Sequence, residues 1–321
     1  LCHVLENKCH EYSELITWQM NTDIQRLEES TNEIRIYGAV DDQPFDAVFD
    51  TVIIANGARS ELRPKAWVKI DKPYPWGAKW TIVPECLTLE AKILHQFYDK
   101  SKIMMGILPT GATPTAHNQR LSSVFWSMPT DQLRNFLQDN QSRSDWLKVV
   151  SKRWKPAAEW LEQVIANPEE KQQWFAANYR DVVMSKFGEG RIGVLGDAAH
   201  AMSPQLGQGA NMALLDAWAL GQAVEISKNN NSIDHVKLWQ TYHQHRQSST
   251  AFYQFLSRLL TPLYQSDLWW AGAFRDLTFS WMYRIPYFRK EMALTVSGLK
   301  SGMLSQMQYE QIVKNKRNGD V

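Results

Sequence analysis

The strongest constraint on the fold lies between Arg191 and Asn211. Arg191-Ile192-Gly193-Val194-Leu195 is a short apolar run, the pattern of a strand buried in a sheet that is covered on both faces. It closes on Gly196-Asp197 and continues through Ala198-Ala199-His200-Ala201-Met202-Ser203-Pro204-Gln205-Leu206. Gly207-Gln208-Gly209 then opens a helical pattern. Its apolar stripe reads Ala210, Ala213, Leu214, Ala217, Leu220, Gly221 and Val224. Strand, glycine-bearing turn and helix in this order call for a parallel α/β layer, and ligands of such layers sit beyond the carboxyl ends of the strands. A carboxylate there can accept hydrogen bonds from sugar-type hydroxyls. Glycines let a planar group approach the backbone, and the free N–H groups of a helix start favour negative charge. The bland alternative is a tight connection with glycines for geometry alone; the full ordered set outweighs it.

A second run of the same kind, Thr51-Val52-Ile53-Ile54-Ala55, reads as a buried parallel strand ending at Asn56-Gly57. Ahead of it, Leu1, Val4, Leu5, Cys9, Tyr12 and Ile16 recur at helical spacing. Ile34 and Ile36 alternate with polar neighbours, Asp41-Asp42-Gln43-Pro44 forms a turn, and Phe45, Ala47 and Phe49 return. Between the two apolar runs the texture changes. Trp76 to Pro84, Ala91 to Tyr98, Lys102 to Leu108 and Arg120 to Met128 read as strands. Three short helices follow, with Thr130 and Ser144 as N-caps, Pro156 in the first turn of the third and Asn167-Pro168 ending it. The expected organisation is a split layer at residues 1–62 and 181–225, an inserted antiparallel sheet at 63–180 and a helical region at 226–321. Within the last, Asn229-Asn230-Asn231 reads as a loop and Lys314 to Val321 as a frayed end.

Composition removes several function classes. A net charge of +1 over 321 residues gives no sign of a nucleic-acid partner. No apolar run approaches the ~18 residues of a membrane span. Three cysteines, Cys2, Cys9 and Cys86, fit reduced thiols in the cytoplasm. Cys2-His3 and Cys9-His10 share a helix face, but their spacing departs from the two to five residues usual for zinc, so no metal is expected. His243-Gln244-His245-Arg246 reads as a solvated helix face. His200 either hydrogen-bonds its own turn or has a chemical role. No acid–base pair or Ser-His-Asp set appears, so no catalytic side chain is assigned.

The Gly196–Asn211 stretch resembles the second FAD fingerprint of the class A flavoprotein monooxygenases, the para-hydroxybenzoate hydroxylase-like fold. The resemblance implies that Gly196 and Asp197 meet the ribityl and ribose part of FAD. It sets Pro204 beside the reactive flavin carbon and has Gly207, Gln208, Gly209, Ala210 and Asn211 hold the pyrimidine edge. Asn56-Gly57-Ala58-Arg59-Ser60-Glu61-Leu62-Arg63 resembles that family's Asp-Gly-x-x-Ser-x-x-Arg motif, which lies behind the FAD pyrophosphate and is linked to the pyridine nucleotide. Asn56, Gly57, Ala58, Arg59, Ser60 and Arg63 inherit those places. Asn56 stands where Asp is usual; it accepts a hydrogen bond but brings no charge. The family's first fingerprint, Gly-x-Gly-x-x-Gly, is missing, since no glycine precedes Gly38. The expectation is an FAD/NAD(P)-binding Rossmann-like domain without its first βαβ unit, binding FAD weakly by itself.

The implied activity is NADPH- or NADH-dependent monooxygenation of an aromatic or polycyclic small molecule by O2, through a flavin hydroperoxide, with the cofactor carrying the hard step. Trp76, Trp80, Phe125 and Trp126 are candidates for the substrate wall, although each alone reads as core. The alternatives are a reductase or halogenase of the same fold, or a non-catalytic fragment. The halogenase option is lowered because Trp76 to Pro84 does not match Trp-x-Trp-x-Ile-Pro. Trp269, Trp270, Phe274, Phe279, Trp281, Tyr287 and Phe288 form a C-terminal cluster. Core packing is its default explanation, and a homodimer or a shallow membrane contact is the alternative.

Overall fold

The computed structural model describes residues 1–306 apart from 86–88, 91–92, 114–115, 137–139, 166–173, 231 and 304. Cys86, Ala91, Asn167-Pro168, Asn231 and Lys314 to Val321 therefore lie outside the described residues. Helix α1 (Cys2–His10) is shorter than its periodicity predicts and buries none of its residues. Strands β1 (Thr22–Glu29), β2 (Ile34–Val40) and β3 (Gln43–Phe49) form an antiparallel meander. The β2–β3 turn is tighter than expected. Val40 already pairs with Gln43, and Asp41 and Asp42 take φ of 47° and 62°, the signature of a two-residue type I′ hairpin. β4 (Val52–Ile54) follows.

The central sheet is antiparallel, in the order β6-β7-β8-β5-β9. Its strands are β5 (Val68–Pro84), β6 (His95–Asp99), β7 (Ile103–Thr113), β8 (Ala116–Pro129) and β9 (Phe175–Met184). β9 is an edge strand that local periodicity did not disclose, and it runs across position 180/181. Helices α2 (Asn140–Ser151) and α3 (Lys155–Ile165) cover one face. Val83, Met105, Ile107, Val124 and Trp126 pack there against Trp146, Val150 and Leu161. Ser144 lies inside α2 and caps nothing, because the helix already begins at Asn140. Thr130 donates its hydroxyl to the Pro75 carbonyl, and the segment after it is a 3-10 turn, Leu133–Asn135. Pro156 does occupy the first turn of α3.

The chain then returns through β10 (Gly188–Glu189) and β11 (Ile192–Val194). β11 runs parallel to β4, with Val52 opposite Ile192 and Ile54 opposite Val194. Gly193 is required by packing: a Cβ there would come within 2.5 Å of the Trp239 ring. After α4 (Asp197–His200) come α5 (Gly209–Ser227), a small hairpin of β12 (Lys228–Asn229) and β13 (Ser232–Ile233), and α6 (His235–Tyr264). The Asn229-Asn230-Asn231 segment is thus partly strand. Helices α7 (Ala271–Met282) and α8 (Pro286–Val296) complete the described fold. Ile54, Val194, Ala198, Ala219, Leu238, Trp239 and Tyr242 share one core.

Two helical faces differ from expectation. α5 buries Met212, Asp216, Ala219, Ala223 and Ser227, while Ala210, Leu214, Ala217 and Gly221 face outward. A carboxylate at the centre of the buried face disguised its orientation. On α6, Arg246 is buried instead of solvated, because that carboxylate is its partner. Among the described residues, no helix is long and apolar enough to cross a membrane.

Candidate functional site

Because β4 and β11 are parallel neighbours, Asn56-Gly57 and Gly196-Asp197 leave the same edge of the layer. Arg63 joins the two turns. Its side chain is 4% exposed. One guanidinium nitrogen donates to the Ala198 carbonyl at 2.8 Å and another to the Ala58 carbonyl at 2.7 Å. The latter also reaches Asp71 at 3.1 Å, and Asp71 accepts from Arg180 as well. A planar fork with several donors serves all these acceptors, which a lysine could not. Ser60 is buried, its N–H bonded to the Gly57 carbonyl, and its hydroxyl has no partner among the described residues. Asn56 and Arg59 are exposed, with Gly57 and Ala58 half-buried between them.

The Gly196 turn is held from beneath. Gly196 takes φ 60° and ψ −144°, a region close to glycine-only. Its N–H donates to Asp216 Oδ2 at 2.7 Å, and His200 Nε2 donates to the same oxygen at 2.6 Å. Arg246 Nε donates to Asp216 Oδ1 at 2.6 Å. Burial pushes the Asp216 carboxyl up. The hydrogen bond and charge of His200, the Arg246 guanidinium and the Gly196 N–H outweigh it, leaving the group below the usual carboxylate range. His200 therefore braces its own turn through α5. The local signal for this hub was present: Asp216 is the lone carboxylate between Asp197 and Glu225, in the otherwise apolar stretch from Met212 to Gly221, which would have to pair it.

On the open side the site looks different. Asp197 is exposed, and its Oδ1 would lie 3.9 Å from a Cβ on Gly209. The start of α5 has no side-chain cap, so its first N–H groups lie beside that carboxylate without a capping partner. Ser203 is anchored through its carbonyl to Ser257 Oγ, and Pro204–Leu206 forms a 3-10 turn with Pro204 exposed. Gly207 follows at φ +63°, and a Cβ there would meet nothing within 4 Å. The side chains of Gln208 and Asn211 turn the other way. Gln208 is buried, donates to the Val296 carbonyl at 2.6 Å and accepts from Asn211 at 3.0 Å. At this turn only the backbone of Gly207, Gln208, Gly209 and Ala210 is offered to a ligand. Gly207→Ala is expected to lower stability by about 1 kcal/mol through the left-handed backbone, a drop in melting temperature of about 2 °C in a scan without cofactor.

The four aromatic candidates do not form one wall. Trp80 lies opposite Phe125 and stacks on Phe175 at 4.9 Å. Phe125 lies over Gly106, where a Cβ would clash with its ring. With Trp76 they occupy the sheet face turned away from α2 and α3. Trp126 points to the opposite face, edge-on to Trp146 at 5.6 Å, because strand alternation reverses it relative to Phe125. Trp76 instead lines a cleft of about 380 Å³ with Tyr74, Arg258, Thr261 and Gln265. Gln265 donates to Ser127 Oγ at 2.7 Å and accepts from Gln205 at 2.8 Å, tying the sheet to the Pro204 turn. Among the described residues no cluster of three or more His, Cys, Asp or Glu could hold a metal ion.

An acceptor carboxylate, a glycine backbone open to contact, uncapped helix N–H groups and a buried orphan hydroxyl fit a planar group that carries hydroxyls and negative charge. That combination, between a parallel strand pair and an antiparallel sheet, defines a flavin-dependent oxidoreductase class. The chain belongs to the family described as FAD binding domain, whose model matches residues 12–251, and its cofactor is FAD. It is similar to 3-hydroxybenzoate 6-hydroxylase of Polaromonas naphthalenivorans, 33% identical over 116 residues, 33% of this chain and 28% of that protein. It is 25% identical over 262 residues to 3-hydroxybenzoate 6-hydroxylase 2 of Aquipseudomonas alcaligenes, covering 78% of this chain and 73% of that protein. The fold matches p-nitrophenol 4-monooxygenase of Pseudomonas putida with a TM-score of 0.69 at 17% identity, over 93% of this chain and 72% of that one.

Proposed function

We propose that the protein is an NADH- or NADPH-dependent FAD monooxygenase that hydroxylates an aromatic or polycyclic small molecule with O2. The observation that carries the reading is the junction of Asp197 with the uncapped start of α5, braced by Arg63 and Asp216, in a chain whose relatives include hydroxylases. When bound, FAD would supply the redox chemistry, with the nicotinamide as two-electron donor and O2 as oxidant, one oxygen atom entering the substrate and the other leaving as water. The protein's part is to bind, orient and exclude water.

Asp197 accepts the ribityl and ribose hydroxyls. The Gly207 N–H is held by the Pro204 carbonyl at 2.9 Å, so the N–H groups of Gln208 to Ala210 face the pyrimidine edge, where negative charge collects on reduction, and the helix start favours it. Gly196 gives the turn its shape, and Pro204 borders the reactive carbon. Asn56, Gly57, Ala58 and Arg59 approach the pyrophosphate, the Ser60 hydroxyl supplies a donor there, and Arg63 positions both turns. Gln208 and Asn211 act through their backbone and their hold on α8. The substrate lies against Trp76, Trp80 and Phe125, with the Gln205–Gln265–Ser127 chain at the floor of its cleft. Trp126 supports that sheet from behind. Residues 1–62 and 181–225 serve as the cofactor layer, 63–180 as the substrate sheet and 226–321 as the helical region. Free Cys2 and Cys9 suit a reducing, cytoplasmic setting.

The test follows NADH and NADPH oxidation, O2 uptake and peroxide release by the flavin-bearing intact protein across phenols, quinones and polyketides. Substrate-stimulated O2 uptake without equivalent peroxide is expected. Hydride consumption that ignores oxygen would replace this reading with a reductase.

A further inference from the structure

Helix α7 carries its apolar face outward. Its protein-facing side is small or polar: Ala271, Gly272 and Arg275 are buried. Gly272 comes so near Lys100 that a Cβ would sit 2.7 Å from its Cα. Arg275 donates to the carbonyls of Lys100 and Leu263. The outward side carries Trp270, Phe274, Leu277 and Trp281, at positions i, i+4, i+7 and i+11, with exposures of 43%, 51%, 73% and 59%. Trp269, immediately before the helix, is 84% exposed. Scattered apolar side chains on a surface need no explanation, but a single-file stripe of aromatic residues and leucine marks a contact surface. The core packing expected of this cluster does not hold for Trp269, Trp270, Phe274 or Trp281.

Charge identifies the occupant. Every carboxylate from Gln265 to Lys300 is engaged within the protein: Asp267 with Lys102 at 2.9 Å, Asp276 with Arg275 at 2.7 Å and Glu291 with Lys300 at 2.8 Å. Arg284, Arg289 and Lys290, just beyond the stripe, are exposed, and none of them has an ion pair among the described residues. A second copy docked across a two-fold axis would set these like charges against each other. A bilayer with anionic headgroups supplies the missing sign. Tryptophan, phenylalanine and leucine on one face, with arginine and lysine at its end, is the composition of a helix lying in the headgroup region.

We propose that α7 and the start of α8 dock the protein on an anionic lipid surface. Trp270, Phe274, Leu277 and Trp281 enter the interface while Arg284, Arg289 and Lys290 meet the headgroups. The docking stands independently of the flavin reading. It is tested by co-sedimenting the intact protein with vesicles of phosphatidylcholine alone and of equal parts phosphatidylcholine and phosphatidylglycerol. Pelleting with the mixed vesicles is expected, weakened by salt and accompanied by a blue shift of tryptophan emission. Leu277→Glu with Trp281→Glu should weaken it at least about tenfold. Arg284→Ser with Arg289→Ser and Lys290→Ser should weaken it about a hundredfold, at about fivefold per charge. All five positions are exposed, so the thermal midpoint of each variant serves as the folding control. Absence of pelleting with both vesicles, or variants that pellet like the parent, would overturn the proposal. So would a dimer that ignores vesicles and becomes a monomer in the stripe variant, which would assign the face to a second copy.

Discussion

Asp216→Ala is expected to lower stability by about 3–5 kcal/mol, the cost of leaving a buried charge without its partner. Arg246 is 2% exposed and cannot reach water to replace the lost carboxylate. The same substitution strips the acceptor from the Gly196 N–H and from His200. Urea unfolding checks it, with the midpoint falling while the slope is kept. The double variant Asp216→Leu, Arg246→Met should recover much of the loss, because buried ion pairs replaced by apolar residues of similar volume are often neutral or better. Recovery of the fold without recovery of flavin affinity would separate the two duties of the hub. The pH dependence has a defined sign. The folded carboxyl is held below its ordinary value of 3.8. Its contribution is therefore complete above that value and is lost as pH falls through the lower folded value. The parent should lose stability below about pH 4 more steeply than Asp216→Asn; equal slopes would contradict the role given to this group.

Asp197→Ala should have the opposite character. The residue is exposed, and no hydrogen bond to its side chain is found among the described residues, so stability without cofactor should change by less than about 0.5 kcal/mol. Flavin affinity should fall at least about 10- to 100-fold, the range of one hydrogen bond to a charged acceptor at about 1.5–3 kcal/mol. Titration of flavin fluorescence against the intact apoprotein measures it. Asp197→Asn, which keeps the acceptor geometry and drops the charge, should fall between the two. An Asp197→Ala protein that holds FAD as tightly as the parent would remove this residue from the site.

The contrast between these neighbouring acids shows what could be read in the residues and what could not. Asp197 stands out as a candidate because its signal is local: an apolar strand, a glycine and an acid in order. The pairing of β4 with β11 was legible for the same reason, since both runs are apolar enough to demand burial. Asp216 and Arg246 were hidden because each is polar at a position where helical periodicity expects an apolar residue, and their justification is each other, across two helices. β1 and β9 were missed because they lack a regular two-residue alternation: Ile24 and Leu27 of β1 are three apart, and β9 ends in the continuous run Val182-Val183-Met184. Phe125 and Trp126 are neighbours on β8, so alternation sets them on opposite faces and they cannot share one wall.

Arg63 and Ala198 are separated by 135 positions. During synthesis Arg63 is added to the chain roughly 7–27 s before its acceptor is made, at elongation rates of about 5–20 residues per second. Throughout that interval its guanidinium must stay hydrated or borrow Asp71. The closure also waits on the intervening sheet, whose strands bring the two turns together and bear much of the loop entropy. The link between the two turns therefore cannot close before residue 198 is made, and FAD capture, where it depends on that link, is expected to report its closure. A destabilised β5–β9 pairing, which carries the Asp71 and Arg180 partners of Arg63, would be noticed as slow acquisition of colour during refolding.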